Sequence, residues 1–181
     1  SVFSERGWRR GFSALRLQPA RRQMNHGEEK MATCKNCLVI GAVSMAMAIG
    51  CGAFGAHALK SILLEDLKAG EITDVERLDT SHSWDVAVRN HAVHSVSLIL
   101  LGLAVAFCSP GYLRWARALL LAGSVLFSGL IYIYTGVKVT SGTTLTLLKF
   151  LVPLGGGSLI LAWILLAVGF YCGPAVNNEL D

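Results

Sequence analysis

Four apolar runs, each long enough to cross a membrane, limit what this chain can fold into more than any other feature. They cover about 38–59, 86–107, 113–134 and 150–171. A helix of about 20 residues crosses a hydrocarbon core about 30 Å thick. The runs are apolar all round, and backbone groups in lipid must bond within their own segment. We therefore predict an all-α fold, an integral membrane bundle of four transmembrane helices.

The composition agrees with a membrane protein. The 181 residues are 53% hydrophobic and 15% charged, whereas soluble domains carry about 25% charged residues. Four spans leave no room for a substantial soluble domain. We divide the chain into a basic N-terminal arm at 1–37, a four-helix domain at 38–172 and a short C-terminal tail at 173–181.

The arm is rich in arginine and poor in acidic residues. Trp8, Phe12 and Leu15 would share one face of a helix. An Arg-rich amphipathic start is typical of a mitochondrial transit peptide, and a basic tail without regular structure is the alternative. We expect the mitochondrial inner membrane as the location, and anionic lipids such as cardiolipin as partners of the arm. The arginines expected to contact them are Arg9, Arg10, Arg16, Arg21 and Arg22.

The distribution of lysine and arginine predicts the orientation. Ten of these residues lie on the side of the membrane that carries the N-terminus, and six lie on the opposite side. Basic residues concentrate on the inner side of a membrane, so both termini are expected in the matrix. The acidic stretch at 60–85 is then an outer loop, in which "SILLEDLK" could form a short amphipathic helix on the membrane surface.

Small residues recur at positions where helices could touch. Ser44, Ala48, Gly52 and the pair Gly55 and Ala56 follow one stripe of the first helix. Gly155 and Gly156 open the fourth helix in "PLGGGS". Small residues let helix backbones approach closely where lipid supplies no hydrophobic drive. We predict that the first helix packs through this stripe against the fourth or the second helix.

One polar cluster is predicted at the outer ends of the spans. His57 closes the first helix, His91 and His94 share a face near the start of the second, and Tyr132 ends the third. Three interpretations remain open. The histidines could make structural hydrogen bonds, ligate a metal or haem, or form a proton-active or lipid-headgroup site.

Other chemistry is missing from the sequence. Cys34 and Cys37 form a C-x-x-C without a second ligand pair. The glycines of "PLGGGS" lack the lysine of a phosphate loop, and no acidic pair lies inside a span. No basic patch is interleaved with exposed aromatic residues, so nucleic acid is not an expected partner. We predict no catalytic residue, cofactor or metal, and no enzymatic activity.

Four motifs occur in an order that resembles a known family. They are "GAFGAHAL" (52–59), "AVRNHAVHSVSLILLG" (87–102), "LFSGLIYIYTG" (126–136) and "PLGGGSLILAWILLA" (153–167). They resemble transmembrane protein 256 of animals, whose bacterial relatives carry the label domain of unknown function 423. The resemblance implies a small four-helix membrane protein without an established reaction. The recurrent positions carried over by the resemblance are Gly55, Ala56, His57, His94, Phe127, Tyr132, Pro153, Gly155, Gly156 and Trp163.

These features lead to two expectations about function. The first is a non-catalytic accessory subunit of a mitochondrial inner-membrane respiratory complex, with other membrane subunits as partners. Cytochrome c oxidase is slightly favoured over NADH dehydrogenase as that complex. The alternative is a free-standing small transporter or proton-active protein that uses the histidine cluster.

Overall fold

The described part of the chain forms six α-helices. The computed structural model describes residues 5–143 and 145–173, and their side chains except those of 5–27, 29, 30 and 146. No strand occurs in these ranges, and the predicted all-α class is confirmed. The helices are α1 (Glu5–Phe54), α2 (Lys60–Ala69), α3 (Asp74–Leu103), α4 (Pro110–Ser124), α5 (Leu130–Ser141) and α6 (Thr146–Tyr171).

Two π-helical turns join these helices into four rods. The first turn, Gly55–Leu59, continues α1 into α2, and the second, Val125–Gly129, continues α4 into α5. Four of the described rods are long and apolar enough to cross a membrane, which confirms the predicted transmembrane bundle. They are Met31–Ala69, Asp74–Ala106, Pro110–Ser141 and Leu147–Tyr171.

Residues 60–85 were predicted to form an outer loop, and that prediction is wrong because nearly all of these residues are helical. The "SILLEDLK" segment lies in α2, which continues the first rod and is not a separate surface helix. Gly70 has a φ of 76°, the left-handed conformation that ends α2. Thr73 then starts α3 with a capping box, since its hydroxyl accepts from the Glu76 amide and the Glu76 carboxylate accepts from the Thr73 amide. Only residues 70–73 connect the two rods.

The first three rods are therefore longer than a bilayer is thick. The first, of 39 residues, measures roughly 58 Å at 1.5 Å per residue. We call the end of the bundle that carries Gly70 and Gly142 the turn end, where both glycines have a positive φ and close a helix. There the Lys138 ammonium donates to the Thr80 hydroxyl at 3.4 Å and ties α5 to α3.

The rods pack mainly in sequential pairs. α1 lies along α3, and α6 lies along α4 and the second π turn. α3 also contacts α4, α5 and the second π turn, and this contact joins the two pairs. Of the two partners predicted for the first helix, the second helix is the main one, and the fourth helix packs on the third instead.

Glycines set how closely the rods approach. A Cβ on Gly41 of α1 would lie 2.8 Å from the Ser95 carbonyl oxygen of α3, and one on Gly155 would lie 2.5 Å from the Phe127 backbone nitrogen. The Gly52 position is in ordinary contact with Val88 at 3.4 Å. Ala56 is exposed and lies outside the contact. Gly41 was not named in the predicted stripe, although its position three residues before Ser44 continues that stripe on the same face.

The predicted face of the arm falls on side chains that the structure does not describe. The backbone of α1 is helical from Glu5, so residues 5–37 of the arm are helical and do not form an irregular tail. The side chains of Trp8, Phe12, Leu15 and the five arginines assigned to lipid binding lie outside the described part of the chain.

Candidate functional site

A chain of polar side chains crosses the interior from α5 through α3 to α1. The Tyr132 hydroxyl lies 3.3 Å from His91 Nδ1, and Ser44 Oγ lies 3.0 Å from His91 Nε2. Ser44 Oγ also lies 2.7 Å from Ser95 Oγ. Ser95 Oγ is 2.7 Å from the His91 carbonyl oxygen. Four side chains on three rods thus form one connected network, which we call the His91 network.

The direction of each hydrogen bond in this network follows from counting protons. A hydroxyl carries one proton, and Ser95 uses its own on the His91 carbonyl. Ser44 must therefore donate to Ser95, so that the Ser44 oxygen accepts from His91 Nε2–H. Nδ1 of a neutral His91 then accepts from the Tyr132 hydroxyl. Every donor in the network has an acceptor, and the last acceptor is the backbone carbonyl of His91 itself.

Aromatic rings cover the network toward the turn end. Trp84 is 5% exposed and its indole nitrogen donates to the Cys51 carbonyl at 2.9 Å. Its ring lies 4.8 Å from that of Tyr132 and 5.4 Å from that of Phe54, measured between centroids. Such ring pairs stabilise beyond the area they bury. The indole is thus held by α1 on one side and by α5 on the other.

The two π turns face this part of α3. A Cβ on Gly55, in the first π turn, would lie 2.5 Å from the Trp84 indole. In the second π turn, Ser128 donates to the Ala87 carbonyl at 2.9 Å. Ala87 is fully buried, and its small side chain leaves that carbonyl within reach. π turns occur frequently at functional sites, and here both turns fit the surface of α3.

The structure brings together only part of the predicted histidine cluster. His91 and Tyr132 meet, whereas His57 is exposed on the surface of the first rod. His94 is 6% exposed, and its Nδ1 donates to the Asn90 carbonyl at 2.7 Å within α3. His57 comes two residues after Gly55, roughly half a turn around the helix axis, and Gly55 faces Trp84 of α3, so the His57 side chain points away from α3. The expected convergence of three histidines is therefore wrong.

Three residues of α3 in the site, Trp84, Ala87 and Ser95, were not predicted from the sequence, whereas His91 was. Trp84, Ala87, His91 and Ser95 follow one another at spacings of three and four along α3, which places them on one face. No sequence pattern pointed to Ser128. The spacing of Trp84 and Ser95 around His91 was the available signal, since polar side chains at this spacing inside an apolar run mark an interior face.

The described residues contain no set of side chains that could ligate a metal ion. Among the side chains that the structure describes, no three His, Cys, Asp or Glu residues lie close enough to share an ion. Cys34 and Cys37 are free thiols, and Cys37 is buried where α1 meets Gly102 of α3. Both thiols therefore lie in the packing between α1 and α3.

Comparison with known proteins places this geometry among membrane proteins. Residues 51–156, which include both π turns and all of α3, match a family described as a protein of unknown function (DUF423). The chain is 33% identical to the UPF0382 membrane protein YwdK of Bacillus subtilis over 132 residues, which is 72% of this chain and 92% of that protein. It is 30% identical to the UPF0382 membrane protein SAB0533 of Staphylococcus aureus over 134 residues, or 74% and 93% of the two chains. No solved structure matches.

Proposed function

The chain belongs to the DUF423 family of membrane proteins, and on that premise we propose that it is a non-catalytic accessory subunit of a larger membrane complex. In this role its rods pack against other membrane subunits and help to assemble them. The finer proposal is a respiratory complex of the mitochondrial inner membrane, with cytochrome c oxidase ahead of NADH dehydrogenase. The Arg-rich, acid-poor start of the chain supports that location.

The closed hydrogen bonding of the His91 network carries the proposal. A site that moves protons needs a donor or acceptor at each end that can exchange with water or substrate. Here the proton of Tyr132 is donated to His91, and the series through Ser44 and Ser95 returns to the backbone of His91. This arrangement supports a structural use of the polar groups, because hydrogen bonds between helices stabilise membrane bundles.

Other polar groups on the rods are used in the same way. Ser158 of α6 donates to the Leu119 carbonyl of α4 at 3.0 Å, and Ser128 and Trp84 donate across rods to backbone carbonyls. Large apolar side chains remain exposed on the outside, such as Met47 on α1 and Ile164 on α6. Inside a membrane these faces meet lipid or a neighbouring subunit, as an accessory subunit requires.

A native gel tests this proposal. The full chain, tagged at the C-terminus, is solubilised from its own membranes in a mild detergent and separated next to a tagged membrane protein of similar size that has no partners. We expect the chain to migrate with a large assembly whose subunits are identified by mass spectrometry. Migration as a monomer or as a small oligomer of this chain alone would contradict the proposal.

A second candidate is a proton-active membrane protein, and one observation favours it. Both ring nitrogens of His91 are hydrogen bonded in the interior, to a tyrosine and a serine that can each carry a proton. Proton entry into liposomes that contain the purified chain discriminates the two functions. Under the accessory proposal, these liposomes and empty ones take up protons at the same rate. Uptake that depends on His91 and is lost in His91→Gln would establish the second function.

A further inference from the structure

A groove opens between α3, α5 and α6 close to the turn end. Its volume is about 340 Å³, within the lower range of small-ligand sites. His82 and Ser83 of α3, Tyr134 of α5 and Lys149 of α6 line its upper part. The Lys149 ammonium lies 5.2 Å from the centre of the Tyr134 ring, a cation–π contact that holds the charge at the groove. The lining contains no carboxylate.

The lower part of the groove is apolar on all three helices. Val86 of α3, Ile131 of α5 and Val152 of α6 line it. Each of these residues lies one helical turn deeper than the polar residue of its own helix. The polar and apolar parts are thus separated by about 5 Å along the bundle.

This boundary lies at the level where the sequence predicts that the membrane begins. Three of the apolar runs start or end there, at Val86, Tyr134 and Phe150. The upper part of the groove is basic, can form hydrogen bonds and lies at the level of the lipid headgroups. The lower part is apolar and lies at the level of the acyl chains. The groove is therefore divided into a polar and an apolar part in the same way as a phospholipid. Anionic headgroups suit the groove because its one fixed charge, Lys149, is positive.

We propose that this groove binds one anionic phospholipid of the leaflet at the turn end. Its phosphodiester lies against Lys149 and accepts from the Ser83 hydroxyl, and one acyl chain descends past Val86, Ile131 and Val152. The site lies at the opposite end of the bundle from the arginine arm, and it does not depend on the proposed accessory role. Bound lipid joins α6 to α3, whereas the main partners of α6 along its length are α4, α5 and the second π turn.

The first experiment identifies the class of ligand. The purified full chain in detergent is titrated with phosphatidylglycerol, phosphatidylcholine or glycerol 3-phosphate, and binding is followed by native mass spectrometry and by the unfolding temperature. We expect phosphatidylglycerol to be retained and to raise the unfolding temperature, with phosphatidylcholine about tenfold weaker. Glycerol 3-phosphate lacks the acyl chain and should not be retained. Equal binding of the two lipids, or binding of the free phosphate as tight as that of the lipid, would overturn the proposal.

The second experiment locates the site. Lys149→Gln should weaken phosphatidylglycerol about tenfold, the effect of losing one charge-assisted contact. Val152→Trp fills the apolar part and should abolish retention. Lys68→Gln is the matched control, because Lys68 is an exposed lysine near the same end but on α2, outside the groove. Equal losses in Lys149→Gln and Lys68→Gln would show general charge attraction and overturn the assignment.

Discussion

Gly155 lies so close to Phe127 that a Cβ on the glycine would stand 2.5 Å from the Phe127 backbone nitrogen. The contact is between backbones, so no side-chain rotation can relieve it. It places α6 directly on the second π turn at Gly155, ten residues into the helix. The next two glycines differ sharply, since a Cβ at Gly156 would be 3.7 Å from the Phe127 ring and one at Gly157 would have no neighbour within 4 Å.

The three glycines should therefore respond differently to alanine. Gly155→Ala forces the backbones apart, and we expect a loss of about 1–3 kcal/mol in the free energy of unfolding. Gly156→Ala should be close to neutral. Gly157→Ala should stabilise by up to about 1 kcal/mol, because alanine is the better helix former. Thermal unfolding of the purified variants in detergent measures all three, and equal effects would contradict the observed packing.

Gly55 and Trp84 allow a test by double mutation. Gly55→Ala should displace the buried indole and cost about 1–3 kcal/mol, whereas Gly50→Ala, with no neighbour within 4 Å, should not destabilise. In a Trp84→Phe background the smaller ring leaves room, so Gly55→Ala should cost clearly less. A double-mutant cycle measured by thermal unfolding gives the coupling. A coupling near zero would mean that the two residues do not meet.

The His91 network predicts a graded response. His91→Leu removes two hydrogen bonds, so that the Tyr132 hydroxyl loses its acceptor and the Ser44 oxygen loses its donor, and we expect a loss of about 1–3 kcal/mol in stability. His91→Gln keeps a donor and an acceptor and should cost about half as much. The control is His57→Gln, where the histidine is exposed and the change should stay within about 0.5 kcal/mol.

Stability and activity of these variants separate the structural role from a chemical one. For a structural His91, the activity of the host complex should follow the amount of folded protein. A complete and equal loss of activity in His91→Gln and His91→Leu, in protein that still assembles, would show that His91 does chemistry, since neither glutamine nor leucine titrates near neutral pH.

The arm is tested by its charge. Changing Arg9, Arg10, Arg16, Arg21 and Arg22 to glutamine should weaken assembly, since each cation near a charged membrane contributes about 1 kcal/mol. The same five positions changed to lysine keep the charge and serve as the control. Removing residues 1–30 should also reduce assembly while the four spans still insert, as protease protection would show. Assembly at the wild-type level in the glutamine variant would remove the arm from the proposed docking.

The sequence predicts the number and type of the rods because length and hydropathy alone decide them. The start of α3 can also be predicted from the sequence, since Thr73 and Glu76 form a capping-box pattern, but the acidic residues around it favoured the prediction of a loop. The π turns could not be predicted from the sequence, because a π turn depends on favourable packing against other helices and has no residue pattern of its own. His57 was misplaced for another reason, because it was assigned by its level along the first rod and not by its face, which is opposite that of Gly55. Which helix meets the small-residue stripe depends on shapes such as that of Trp84, which spacing does not reveal.

The pairing of consecutive rods also has a consequence for how the chain is made. α1 finds its main partner, α3, as soon as the second rod leaves the ribosome, and α6 likewise joins the rod synthesised just before it. Each hairpin can enter the bilayer with the close glycine contacts between its own rods already formed, at Gly41 in the first and at Gly155 in the second. The bond from Ser128 to the Ala87 carbonyl then forms late, when the two hairpins close on each other. The order of synthesis along the chain is thus the order in which its polar groups are sheltered from lipid.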